Sequence, residues 1–198
     1  MQLAAHITKN AAVHRSRGGC VDRAGEWCSL PRLVTHNDIL RSVRYLLDVG
    51  DARLADIICL GGGAPGGCDV AALLKKEDEP GYVLCGDLVM AQFLNGLIVY
   101  KRGKDESRPP LPLEMPVTNN AILKRLRVAF ELKDSDIIAL IERCGLRVSK
   151  AELGAFFRRP DHRNYRDCGD QFLRNLLRGM SLTAAAAPPP ATGFPPGA

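Results

Sequence analysis

The chain contains no run approaching the roughly 18 consecutive apolar residues a membrane-crossing helix needs. It also has no secretory apolar segment, so a membrane partner is not expected. The catalytic signatures G-x-S-x-G and H-E-x-x-H are missing as well, which removes the serine-hydrolase elbow and the zinc-protease helix from the reading. Cysteine is present but unorganised: the seven residues at 20, 28, 59, 68, 85, 144 and 168 are odd in number, scattered, and include no C-x-x-C pair. A zinc site or disulfide framework is therefore disfavoured, and a reduced, cytoplasmic localisation is expected. Acidic residues are lacking before Asp22, and residues 1–33 show no sustained periodicity; this stretch reads as a disordered extension.

What is present is an internal repeat. Tyr82-Val83-Leu84-Cys85-Gly86-Asp87 returns 83 residues later as Tyr165-Arg166-Asp167-Cys168-Gly169-Asp170. At that offset residues 34–97 pair with 117–180 without a gap, and 17 of the 64 pairs are identical, against roughly four expected from ordinary composition. Duplication explains this. Between the copies lies a charged, proline-rich linker, 98–117, and after them an alanine- and proline-rich tail, 181–198, read as disordered. Units of this size sit at the low edge of independent stability, so the two are expected to lean on each other.

Apolar spacing predicts four helices per repeat, an all-α fold of two tandem four-helix units. Helix one carries Ile39, Leu40, Val43, Leu46 and Leu47, or Ile122, Leu123, Leu126, Ala129 and Phe130, on one face, with Asn37 or Asn120 at its cap. Asp51 or Asp134 is expected to cap helix two, and Gly62 or Gly145 to close it in the left-handed conformation. Helix three opens at Asp69 in the first copy and at the capping box Ser149-Lys150-Ala151-Glu152 in the second. Helix four is expected to open at Asp87 or Asp170 and to stop at Gly96 or Gly179. Gly61-Gly62-Gly63-Ala64-Pro65-Gly66 satisfies G-x-G-x-x-G literally, but a phosphate cradle requires a preceding strand. The equivalent stretch of the second copy has helical spacing and one glycine, so the run reads as a helix end and loop.

The residues repeated in both copies, Arg44/Arg127, Tyr82/Tyr165, Cys85/Cys168, Gly86/Gly169 and Asp87/Asp170, read as structural. A thiolate at Cys85 or Cys168 lacks a general base, and an adjacent aspartate works against ionisation. The aspartates are expected to cap helix four, the tyrosines to close the preceding loop, and the cysteines to fill a small buried space. Arg44 and Arg127, on otherwise apolar helices, are expected to pair with Asp48 and Glu131 at i+4 and to reach Asp87 and Asp170. No catalytic residue, metal ligand or cofactor is assigned.

Charge is unevenly divided. Residues 34–97 hold five Lys/Arg against nine acids, whereas 117–180 hold thirteen against eight. An acidic unit joined to a basic one suggests that a unit faces its counterpart, in the same or a neighbouring molecule, or an unknown protein partner. The candidate binding patch is Arg158, Arg159, His162, Arg163, Tyr165, Arg166, Arg174 and Arg178; its interleaved tyrosine keeps RNA or single-stranded nucleic acid as the alternative ligand. A non-enzymatic binding or adaptor module, acting through protein contacts, is the favoured reading, with an enzyme whose site lies between the repeats as a further, less favoured alternative.

From Asn37-Asp38-Ile39-Leu40-Arg41-Ser42-Val43-Arg44, through Lys75-Lys76-Glu77-Asp78 and Gly103-Lys104-Asp105-Glu106-Ser107-Arg108-Pro109, to Cys168-Gly169-Asp170-Gln171, the sequence closely resembles the YehS-like family. The resemblance covers about residues 34–181 and implies a bacterial, cytoplasmic, two-repeat protein with no established activity, so no functional residue is carried over from it.

Overall fold

Each repeat opens its first helix with a threonine. The computed structural model describes residues 33–104, 106–107 and 109–186, so the extension read at 1–33, apart from Leu33, and the tail beyond residue 186 lie outside the described residues. Thr35 caps α1 (His36–Leu47): its hydroxyl accepts from the Asp38 N–H at 3.2 Å while the Asp38 carboxylate accepts from the Thr35 N–H at 3.0 Å. Thr118 caps α5 (Asn119–Ala129) with its hydroxyl alone, accepting from the Ala121 N–H; alanine in the place of Asp38 leaves no reciprocal carboxylate. The expected caps, Asn37 and Asn120, lie instead inside the first turn and are buried. A hydroxyl two residues upstream already serves the helix end, which frees both carboxamides for longer-range bonds.

The remaining elements follow the repeat: α2 (Asp51–Leu60), α3 (Val70–Leu74) and α4 (Asp87–Arg102) in the first copy, α6 (Asp134–Glu142), α7 (Lys150–Phe156) and α8 (Asp170–Ala186) in the second. Among the described residues there is no strand, and the glycine run follows a helix, closed by a left-handed Gly62 with φ 98° that matches Gly145 with φ 79°. Ser149 and Glu152 form the expected capping box on α7, and Asp69 caps α3.

Helix four is longer than its glycines suggest. Gly96 and Gly179 lie within α4 and α8, which run on to Arg102 and Ala186, so part of the expected linker and of the expected tail is helical. The glycines serve helix crossing rather than termination. A Cβ on Gly96 would sit 1.7 Å from the Ile57 carbonyl oxygen on α2, and one on Gly179 would sit 2.3 Å from that of Leu140 on α6. The first copy approaches more closely because Gly61 adds a second bare contact, its Cβ position lying 1.8 Å from the Gln92 oxygen. The equivalent site in the second copy carries Cys144, whose thiol donates to the Asn175 carbonyl at 3.3 Å.

The two copies share one apolar core. Ile39, Leu40, Leu54, Ile57, Phe93 and Leu97 from the first join Ile122, Leu123, Leu126, Ile137, Ile141 and Leu173 from the second, all fully buried, in a single cluster. Between copies the packing is reciprocal: α4 lies against α5, and α8 lies against α1. Helix one of each repeat thus covers helix four of the other, the arrangement of an isologous dimer fused into one chain. At the α4–α5 seam Lys101 lies 5.4 Å above the Phe130 ring and Arg102 approaches Glu131 at 3.5 Å. Gly96→Ala is expected to lower the unfolding free energy by about 3 kcal/mol, because backbone must move to admit one methyl. Gly154→Ala in α7, where nothing lies within 4 Å, is expected to raise it by about 0.5–1 kcal/mol. Urea denaturation of the two variants checks both.

Candidate functional site

The repeated Tyr-x-x-Cys-Gly-Asp segment is a loop leading into helix four, and one buried carboxamide holds it. Asn37 Nδ2 donates to the carbonyls of Leu73 and Val83, both at 2.8 Å, and its Oδ1 accepts from the Cys85 N–H at 2.9 Å. Asn120 repeats every bond, to Phe156 and Arg166 at 2.9 Å and from Cys168 at 2.8 Å. Each amide therefore ties α1 or α5 to the end of helix three and to both sides of the loop. Backbone bonds from Val83 to Ala72 and from Arg166 to Ala155, both 3.3 Å, complete the anchorage. The Tyr82 hydroxyl donates to Asn37 Oδ1 at 3.3 Å, closing the loop as expected. Tyr165 pairs instead with Asp167, and slight burial together with that carboxylate pushes its hydroxyl above the usual 10.0.

Asp87 and Asp170, expected to cap helix four, occupy instead the first helical position of α4 and α8, Gly86 being the N-cap of α4, and their carboxylates reach back to helix one. His36 Nδ1 lies 3.2 Å from the Cys85 carbonyl and 3.7 Å from Asp87. Asn119, its equivalent, donates to the Cys168 carbonyl at 3.0 Å and to Asp170 at 2.6 Å. The expected ion pairs from Arg44 and Arg127 to these aspartates are not formed. Each arginine meets the aspartate that opens the next helix, Asp51 or Asp134, at 2.9 Å, although both aspartates were expected to be caps; the N-cap residues are Gly50 and Lys133. The reason lies between them. Asp48 and Glu131 adopt left-handed conformations, with φ 50° and 53°; these turns bring the start of helix two beside the last turn of helix one. The i+4 pairings with Asp48 and Glu131 are lost by the same turn. Arg127 also stacks 4.5 Å over the Phe157 ring.

Cys85 and Cys168 fill the buried space behind each loop. Burial, then neighbouring Cys68 and Asp87, push the Cys85 thiol up to about 12; burial and Asp170 do the same to Cys168. Both are neutral thiols at ordinary pH. Among the described residues no group of three His, Cys, Asp or Glu side chains is placed to hold a metal ion. A cavity of about 10 Å³ between α4, the linker and α5, lined by Leu94, Asn95, Glu114, Val117, Ala121 and Arg125, is the size of one water.

The candidate basic residues fall on two elements. Arg158, Arg159, His162, Arg163, Tyr165 and Arg166 follow α7, whereas Arg174 and Arg178 lie one turn apart on α8. Arg159, His162, Arg163, Arg166 and Arg178 are exposed; Arg158, Tyr165 and Arg174 are half-buried. Several are engaged locally: Arg159 lies 3.9 Å from Asp161, His162 accepts from the Asn164 N–H, and Arg174 donates to Gln171.

Inspection of repeated residues misses the positions where the copies differ. Val83, Leu84 and Leu88 are 50%, 66% and 49% exposed, and their equivalents Arg166, Asp167 and Gln171 are exposed too. One backbone thus presents aliphatic side chains in the first copy and charged or polar ones in the second. The signal that finds them is divergence against an otherwise conserved internal pattern.

Fold and loops together define a duplicated, pseudo-symmetric helical protein whose recurring residues hold its loops in place. The family model described as "Protein of unknown function (DUF1456)" matches residues 36–103 and again 119–184, and the chain belongs to that family. The Uncharacterized protein YehS of Escherichia coli (strain K12) is 51% identical over 145 residues, covering 73% of this chain and 93% of that protein. No solved structure matches. No described helix is long and apolar enough to cross a membrane.

Asn37→Ala or Asn120→Ala leaves two carbonyls and one N–H without their partner, and is expected to cost about 3 kcal/mol or more; a loss near 1 kcal/mol, the usual worth of an N-cap, would overturn the staple. Folding holds both thiols neutral, so their contribution to stability is present below pH 9 and is lost as pH rises from about 9 towards about 12. Urea midpoints across that range are expected to fall less steeply in a Cys85→Ala/Cys168→Ala variant than in the parent.

Proposed function

We propose that this chain is a non-enzymatic adaptor that binds protein through the loop of its first repeat, in a reducing cytoplasm. The observation that carries this reading is the exposure of Val83 and Leu84, on a loop whose backbone is pinned by Asn37, and of Leu88 beside them in the first turn of α4. Apolar side chains held out on an immobilised backbone lose little freedom when covered, so their burial converts efficiently to affinity. Side chains about half exposed or more fit a protein surface better than a small molecule, which takes a deep cleft.

The alternative is nucleic acid held by Arg158, Arg159, Arg163 and Arg166 beside Tyr165. A capture experiment from cell lysate, with and without nuclease, separates the two. Retention of partners after nuclease treatment, and their loss with Leu84→Asp bait, is expected. Capture that disappears with nuclease, weakens steeply with salt and is abolished by reversing those arginines would give the site to nucleic acid.

A further inference from the structure

We infer that the first-repeat loop of one molecule docks on the arginine-bearing second-repeat loop of another copy of this chain. The inference rests on the protein-binding reading above and names the occupant.

The two loops are the same construction with opposite surfaces. Residues 75–88 carry two lysines against four acids, together with the exposed Val83, Leu84 and Leu88; residues 158–171 carry four arginines against three aspartates and no exposed aliphatic side chain. The wider repeats extend the contrast, five basic against nine acidic residues in one and thirteen against eight in the other. Lys75 donates to the Pro80 carbonyl at 2.7 Å and Glu79 accepts from the Lys76 N–H at 2.9 Å, but neither bond cancels a charge, so two lysines against four acids leave the first loop net negative.

Arginine suits this partner on two counts. Its guanidinium fork matches carboxylates such as Asp78, and its methylene stem covers aliphatic surface such as Leu84. Arginine is accordingly enriched at interfaces. Because every chain carries both loops, the contact can be made twice in a closed dimer or once in an extending series. The number of apolar side chains is small, which places the association at the weak end of specific interfaces, in roughly the micromolar range.

Sedimentation velocity on the full chain, over about 1 to 100 μM and at about 0.05 and 0.5 M salt, tests this. The mass is expected to rise above the 21.5 kDa monomer with concentration and to fall back at high salt. Leu84→Asp is expected to weaken association at least tenfold; its side chain points to solvent, so circular dichroism should be unchanged. Two charge-reversed chains give the decisive arm, Glu77→Lys/Asp78→Lys and Arg159→Glu/Arg163→Glu. Each alone presents two loops of like sign and is expected to stay monomeric, while an equimolar mixture restores association. A parent chain monomeric at every concentration, association indifferent to Leu84→Asp, or a mixture that stays monomeric overturns the inference. If the parent is monomeric yet Leu84→Asp still abolishes capture of a partner, the protein-binding reading stands and the second copy is excluded.

Discussion

Among the described residues, one buried carboxamide in each repeat ties together three backbone groups from distant parts of the chain. Asn37 and Asn120 are buried, and each satisfies two carbonyls and one N–H on segments 36 to 48 residues away. Buried backbone groups without partners are costly, and these belong to the last turn of helix three and to the loop that follows it, where no helical or strand partner reaches them. The asparagine supplies in one side chain what a ladder supplies elsewhere. Its donors and acceptor sit in a plane about the right width to bridge two chain segments, which a shorter hydroxyl cannot do.

Around this staple the repeated residues form a consistent set. The cysteine packs behind the loop, the aspartate at the start of helix four answers position 36 or 119, and the arginine of helix one joins helix two across a left-handed turn. Duplication then lets the same unit cover itself. Helix one of each copy lies on helix four of the other, so neither copy owns a complete core. This explains why the apolar residues form one cluster, and why bare glycines recur where helices two and four touch.

Seen from outside, the copies part company. Positions whose backbone is held by the staple are free to vary in side chain, and at 83, 84 and 88 they carry Val, Leu and Leu where 166, 167 and 171 carry Arg, Asp and Gln. The conserved interior and the divergent loops follow from one division of labour: side chains that point inward are constrained twice, by their own copy and by its partner, whereas those that point outward answer only to what they meet.

Helix number, repeat offset, the apolar faces, the left-handed glycines at 62 and 145 and the buried cysteines were all legible in the one-dimensional pattern, because each depends on spacing along the chain or on a single residue's backbone preference. The roles of Asn37, Gly96, Asp51 and Asp87 were not. Asparagine, glycine and aspartate are also the residues of helix ends, and local preference alone assigns them there. Only packing reveals that Gly96 admits the Ile57 carbonyl, that Asn37 faces three backbone groups from two distant segments, and that Arg44 meets Asp51. Sequence therefore determined the repeating elements, since helices follow local periodicity. Tertiary structure decided which polar residue bonds to which and which side chains remain uncovered, since those depend on distances between segments far apart in the chain.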